Sequence, residues 1–463
     1  MLDVRAAIGK LKRRLSTATS PSHRKLNTMD ALQILINGTR FDLVMKYACA
    51  AHREVPTTFY RDLYLAQHGI LTGSSPGETA WEDFCALCDR VQREGVPAGA
   101  ITIGRNGEIV DGATELACAA LYGQDVQVQE VQESVDYNSQ WFLEQGLDRT
   151  YADYTAIEYV RLQPSAHVVN LHSRVDIAHN KDVEAILRKH GMLYYMKPVV
   201  LSNDGYANIK KISYGTFWDR PLWIGNANDN FAGSRRHAQS SIGVDPLRAY
   251  VFVCDDTTNT ARRAKEEVRR LFLGGNCIHI NDLHPEAVRL AETYYNNNSL
   301  ELINARPISH VDEAMDNELG HITKLAQETG ASPLALCGTA DATLRVLNAA
   351  PASGLIYPCV SAAQQSLSLP PTSPIVEPAE GSPISVAELV HHPRYYGFHC
   401  GYKFTALSLM EQTLADKRLV RRLRDRAAQN CSRAFIRKVE KVGCRQMVIG
   451  GKWRIVYKKR RKK

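Results

Sequence analysis

Nowhere in the 463 residues is there a run of eighteen apolar side chains, about the length a helix needs to cross a bilayer. A membrane-spanning helix is therefore not expected. The opening stretch, MLDVRAAIGKLKRRLSTATS, lacks the apolar segment of a secretory signal. It shares Arg, Lys, Ser and Thr with mitochondrial leaders, but Asp3 and its mild hydrophobicity favour a basic amphipathic helix over residues 1–28. Internal repeats are absent. Cysteine is scattered: eleven residues contain one CxxC, Cys85 and Cys88, with no second pair close by. A zinc site needs about four ligands, so the expectation is two cysteines on one buried helix face. The dispersed, odd-numbered set fits a reducing compartment, and a cytoplasmic location, peripheral to an inner membrane at most, follows as an expectation.

Charge is present in ordinary amount but is unevenly spread. Residues 417–463 carry nineteen Lys and Arg against Asp425 and Glu440, a net +17, and residues 1–26 carry +6. With a total of +8, residues 27–416 are left at −15. An acidic body thus lies between two basic ends. In the tail, Phe435, Trp453 and Tyr457 stand among the cations. That mixture suits an anionic membrane surface, an acidic partner, or a nucleic acid. The segment KWRIVY reads as a short strand.

At about 100–200 residues per domain the length accommodates three modules. Residues 29–52 read as two helices broken at Asn37-Gly38, and residues 60–96 as further helix. Short strands at 98–103 and 108–110 flank the Asn106-Gly107 turn. Asp111-Gly112 then turns into the helix ATELACAALYG, and 126–131 alternates as a strand. Beyond a helical stretch at 136–165, apolar runs at 166–172, 193–202, 249–254 and 276–281 alternate with helical patterns. Asp204-Gly205 reads as a turn and Trp223–Gly225 as strand-like. Strand–helix–strand order predicts parallel or mixed pairing. Residues 306–430 read as a third α/β module: helix 311–329, the strand PLALCG, a Ser/Pro-rich loop at 367–383 and helix 403–429. The fold class expected is α/β, mixed with α+β, in modules 29–135, 136–305 and 306–430, followed by a basic tail from 431.

Three groups of residues carry candidate chemistry. Asp111 and Gly112 sit where a strand turns into a helix, and free N–H groups at a helix start can hold an anion. Gly233, Ser234, Arg235 and Arg236 combine a glycine turn with guanidiniums that match phosphate. His279, Asp282 and His284 lie where a buried strand meets a helix, the edge at which α/β sheets bind ligands. They are the candidate catalytic or metal-assisted group. The alternative for that segment is local: Asn281 or Asp282 caps the helix, with Glu286 in its first turn.

Family resemblances attach to these motifs. Residues 95–132, with Ile109, Asp111-Gly112, Leu116-Ala117 and Leu121-Tyr122-Gly123, resemble the ParB/sulfiredoxin-like fold, whose members include DNA-partition proteins and ATP- or ADP-using phosphotransferases. Thr114 and Glu115 stand where many members carry His and Arg. Residues 223–304, with Trp223-Ile224-Gly225, Phe231-Ala232-Gly233, His279-Ile280-Asn281-Asp282 and Asn298-Ser299-Leu300, resemble multidomain proteins of bacterial capsule and lipopolysaccharide gene clusters. Leu336-Cys337-Gly338-Thr339-Ala340 resembles the strand–helix turn of nucleotidyltransferase-like folds, but the strand Gly354–Pro358 lacks the paired carboxylates that hold two Mg²⁺ there, and Asp341 falls on the helix. These resemblances imply a protein handling a nucleotide or sugar phosphate in surface-polysaccharide biosynthesis. Phosphoryl or nucleotidyl transfer is the implied class if it is an enzyme, with Mg²⁺ and ATP or another nucleotide as cofactors. A ParB-like nucleic-acid-binding protein and a catalytically degenerate scaffold are the alternatives.

Overall fold

The structure is a computed structural model. It describes residues 26–305 apart from short gaps, the longest at 216–221, then 384–399, 401–413 and most of 418–428, with the backbone of short strands elsewhere. The chain divides into two compact units, Met1–Ala51 with Glu82–Tyr137, and His52–Trp81 with Asn138–Lys463. The class is mixed α/β with several small sheets. No helix among the described residues is long and apolar enough to cross a membrane.

The first unit is a four-stranded sheet of order β1-β4-β2-β3, formed by β1 (Leu26–Asp30), β2 (Ile101–Ile103), β3 (Ile109–Asp111) and β4 (Asp125–Glu130). β4 alternates as a half-buried strand should: Val126 and Val128 point inward and Asp125 and Gln127 outward. It pairs antiparallel with β1 and parallel with β2. Leu26–Asp30 is therefore strand where the basic N-terminal helix was expected to reach residue 28. LNTMD carries no alternation, and its partner lies about a hundred residues onward. Helices α1 (Ala31–Asn37), α2 (Asp42–Ala51), most of α3 (Thr79–Glu94) and α4 (Ala113–Leu121) complete the unit. The Asp30 carboxylate caps α1 by accepting from the amides of Leu32 and Gln33. Cys88 of α3 is buried with its Sγ 2.8 Å from Cys118 of α4, while Cys85 is only partly covered. The helix thus buries one cysteine of the CxxC rather than both.

A buried ion group anchors α2. Arg40 Nε donates to Asp42 Oδ1 at 2.8 Å, Lys46 Nζ contacts the other oxygen, and Arg40 Nη1 donates to the Ile109 carbonyl at 2.7 Å. Burial alone would raise the Asp42 carboxyl, but Lys46 and Arg40 outweigh it and hold the group at about 2.

The second unit is built on the sheet β6-β7-β5-β8, from β5 (Ala166–Leu171), β6 (Met192–Val199), β7 (Leu247–Val253) and β8 (Ile278–Ile280). Every neighbouring pair is antiparallel, which corrects the expected parallel or mixed pairing. The reason is strand order. β5 and β6 run in the same direction, as a crossover through a helix requires, but β7 lies between them. β7 and β8 are likewise joined through a helix, with β5 between them. Two crossovers interdigitate, and periodicity carries no signal for that. Central β5 is buried along its length, which explains its unbroken apolar run.

Helices pack on this sheet: α5 (Arg149–Leu162), α6 (Asn180–His190), α7 (Asn203–Gly215), α8 (Ala232–Ser241), α9 (Thr260–Leu271), α10 (His284–Tyr294) and α11 (Asn297–Ala305). α9 shows the logic. Ala261, Ala264 and Val268 fall on one stripe and join Val169, Val183, Leu187 and Phe252 in the core, leaving its Arg and Glu residues outside. Asp204-Gly205 lies in the first turn of α7 rather than in a free turn, because Ser202 Oγ accepts from the Gly205 amide and starts the helix. Trp223 sits in a short 3₁₀ turn, Leu222–Ile224, not a strand.

Further along, β9 (Tyr396–His399) and β10 (Tyr402–Thr405) form a hairpin closed at Gly401, whose φ is +82°. Residues 403–405 are thus strand, and the helix α12 (Leu407–Thr413) begins only after them. Pro374–Val376, inside the segment 367–383 expected as loop, is strand and pairs with Ile384–Ser385 just after it. KWRIVY is a strand as expected: Lys452–Tyr457 pairs with Cys444–Ile449. Leu336–Cys337 is strand, while Gly338–Tyr357, including Asp341, and helix 311–329 lie outside the described residues.

Candidate functional site

Strand alternation places His279. Ile278 and Ile280 join the core on one face of β8, so His279 projects from the other. There its Nε2 is 2.8 Å from Glu286 Oε1 on α10 and its Nδ1 is 3.0 Å from the Tyr214 hydroxyl on α7. One helical turn before Tyr214, on the same face of α7, is Lys210. Lys210 Nζ is 3.0 Å from His172 Nε2, just past the end of β5. His172 Nδ1 is 3.0 Å from the Asn276 carbonyl. A carbonyl only accepts, so Nδ1 carries the proton, and Nε2 is bare and accepts from the Lys210 ammonium. His237 of α8 completes the group, its ring edge-on to Tyr214 at 5.7 Å and tilted against Trp223 at 5.1 Å.

Glycine makes this assembly possible. A Cβ on Gly233 would stand 1.4 Å from the Trp223 carbonyl oxygen, so only glycine lets the 3₁₀ turn lie on the start of α8. That approach brings the Trp223 ring to 5.3 Å from Tyr214.

Burial dominates the electrostatics. It lowers Lys210 to about 7, helped by Lys265, and drives His172 and His279 well below the ordinary imidazole value. His237 falls to about 4 through burial, then Lys210 and His279. Glu286 rises to about 8 through burial, then Asp282, and Tyr214 rises to about 12 through burial and Glu286. At neutral pH the three imidazoles are neutral, Glu286 is largely protonated and Tyr214 keeps its proton. A protonated Glu286 donates to His279 Nε2. His279 then donates from Nδ1 to the Tyr214 oxygen, which leaves the Tyr214 O–H directed at whatever stands before it. Beside it is an ammonium that, among the described residues, makes no ion pair with any carboxylate.

The expected residues are distributed as follows. His279 is central. Asp282 is exposed and acts on the group through its charge on Glu286 and its main-chain N–H, which supports the Glu286 carboxyl. His284 is turned away, with Nε2 2.7 Å from the Val160 carbonyl. Neither Asn281 nor Asp282 caps α10: the N-cap is Leu283, without a side-chain bond, and Asn281 Oδ1 accepts from the Val168 amide at 2.6 Å. Ser234 Oγ donates to the Ala207 carbonyl, Arg235 pairs with Asp204 at 3.0 Å, and Arg236 is exposed. Asp111 and Gly112 belong to the first unit. There Gly112 has φ +78°, a Cβ would lie 2.4 Å from the Ala100 carbonyl, and Asp111 Oδ1 accepts from the Gly112 amide. Lys210, His172, Tyr214, His237 and Glu286 were missed. The available signal was Lys210 and Tyr214 four apart on a helix whose Tyr206 lies one turn before Lys210 on the same face.

Among the described residues no group of three or more His, Cys, Asp or Glu side chains is arranged for a metal ion. The donors of this site do not fit Mg²⁺, which takes hard oxygen ligands. Among the described residues its one buried carboxyl is bonded to His279, and the charge left without a carboxylate is positive. An anion fits. No protein-family model, curated protein or solved structure matches this chain.

Proposed function

We propose that the second unit binds a nucleotide or sugar phosphate, with a phosphate group against Lys210 and the Tyr214 hydroxyl. Tyr214 then serves as proton donor, refilled from Glu286 through His279, in a phosphoryl or nucleotidyl transfer. One observation carries this reading: Lys210 is buried, 2% exposed, with a neutral imidazole as its hydrogen-bond partner. A buried ammonium without a counter-charge is costly, and a phosphate supplies that charge through a charge-assisted hydrogen bond. The resemblance of residues 223–304 to proteins of polysaccharide gene clusters makes sugar nucleotides the first ligands to test.

Calorimetric titration with uridine diphosphate sugars and with inorganic phosphate is the test. A charge-assisted bond contributes roughly 1.5–3 kcal/mol, so Lys210→Met should weaken binding by about ten- to a hundredfold. The wild-type protein should bind less tightly as pH rises through about 7, where Lys210 loses its proton. Equal affinity in Lys210→Met and wild type would refute the assignment.

A further inference from the structure

A second polar cavity, of about 420 Å³, lies elsewhere in the second unit, lined by Thr150, Asp153, Asn297, Arg394, Tyr395 and Ser408 among others. Its size is within the range of small-ligand sites, about 300–1,000 Å³. Its floor is a buried ion pair. Asp153 accepts from Lys197 Nζ at 2.7 Å and from the Tyr195 hydroxyl at 2.7 Å. Lys197 also donates to Asn297 Oδ1 at 2.8 Å. An ammonium only donates, so this contact fixes the Asn297 amide and leaves its Nδ2 as a free donor at the wall. Ser408 Oγ makes no hydrogen bond among the described residues and adds a group that both donates and accepts. The half-buried Tyr395 ring supplies an apolar face with a polar edge.

Charge separates this cavity from the Lys210 site. Its buried carboxylate already has an ammonium. Arg394 at the rim is near enough to Asp148 to help the Thr150 hydroxyl and amide hold that carboxyl low against the effect of burial, and Arg149 leans on the Tyr195 hydroxyl at 3.4 Å. Among the described residues around this cavity, no buried cation is left without a carboxylate. What remains unfilled is a mixed set of amide, hydroxyl and guanidinium groups around an aromatic ring. A ligand with many hydroxyls and an apolar C–H face satisfies that set, whereas a compact anion leaves most of it unused.

We propose that this cavity is a saccharide-binding site that takes a neutral hexose unit across Asn297, Ser408 and Tyr395. It is independent of the phosphate reading at Lys210. Saturation-transfer-difference NMR on the full chain with glucose, galactose and N-acetylglucosamine tests it. At least one hexose should receive magnetisation, and Ser408→Phe, which fills the cavity from a partly exposed helix position, should abolish the transfer while the thermal midpoint stays put. Asn297→Leu should weaken binding by about tenfold, the loss of one hydrogen bond. Should Asn297→Leu fail to fold because Lys197 loses a partner, Ser408→Phe alone decides. Transfer in Lys210→Met should be as in wild type, so this proposal and the phosphate site fail separately. Undiminished transfer in Ser408→Phe, no transfer to any of the three hexoses, or a cavity that binds inorganic phosphate and no hexose would each overturn it.

Discussion

The Lys210 ammonium and the bare Nε2 of His172 stand 3.0 Å apart inside the second unit, with no carboxylate among the described residues to balance the charge. The unfolded chain binds the Lys210 proton up to about 10.5, the folded chain only up to about 7. Between those values the unfolded state holds more protons, so stability rises with pH across this window. Below about 7 the full penalty is present, on the order of 5 kcal/mol as an upper bound. Lys210→Met should therefore be more stable than wild type at pH 6, by a few kcal/mol, and the gain should shrink toward pH 10. Urea denaturation across that range checks it.

Glu286 gives the opposite slope in a different window. Its carboxyl is raised from 4.5 to about 8, so the folded state keeps a proton that the unfolded chain releases. The contribution is fully present below about 4.5 and is lost as pH rises toward 8. Glu286→Gln keeps the shape and a hydrogen bond to His279 while removing the titration. It should flatten the stability profile between pH 4.5 and 8 and be the more stable form at the upper end. Thermal unfolding at four or five pH values suffices to see it.

Asp42 behaves as an ordinary paired acid. Held at about 2 by Lys46 and Arg40 against burial, it contributes stability above about 3.8 that disappears as pH falls through about 2. Asp42→Asn leaves two buried cations uncompensated and should cost about 3–5 kcal/mol at pH 7. Faster hydrogen exchange across Asp42–Ala51 is the expected readout, with the helices of the second unit unaffected.

Gly112→Ala separates a backbone role from a phosphate-binding one. A φ of +78° and a Cβ contact of 2.4 Å with the Ala100 carbonyl make alanine strained and crowded, a cost of at least about 2 kcal/mol. The first unit should lose that stability with no ligand present, as read by hydrogen exchange in Ala113–Leu121.

Legibility in the sequence followed the range of the interaction that decides each feature. β5, β7 and α9 were readable because a strand's apolar run and a helix's spacing are local. β1 was not, because LNTMD is strand only by virtue of β4. The antiparallel order of the central sheet depends on which strand intercalates, and no single segment records it. Within the site, His279 stood out as a polar residue between two isoleucines in a buried strand. Lys210 did not, since a lysine is buried only when distant elements cover it, here α8 and the segment just past β5. Glu286 read as a first-turn acid, and its second role emerges only once β8 brings His279 to within 2.8 Å.

The division of the chain has a consequence in time. Residues 52–81 belong to the second unit although they are made between the two halves of the first. The helix Phe59–Thr72 finds its aromatic partner late: Phe59 packs edge-on to Tyr154 at 4.8 Å. At synthesis speeds of about 5–20 residues per second, Phe59 waits roughly 5–20 s for Tyr154 to emerge, and β1 waits a comparable time for β4. An apolar surface at Phe59 and an unpaired strand edge at β1 are thus held open at once on the nascent chain, each awaiting a different downstream segment. A chaperone that shields such surfaces should bind most strongly to ribosomes stalled between residues 80 and 120, and release once residue 160 has cleared the exit tunnel.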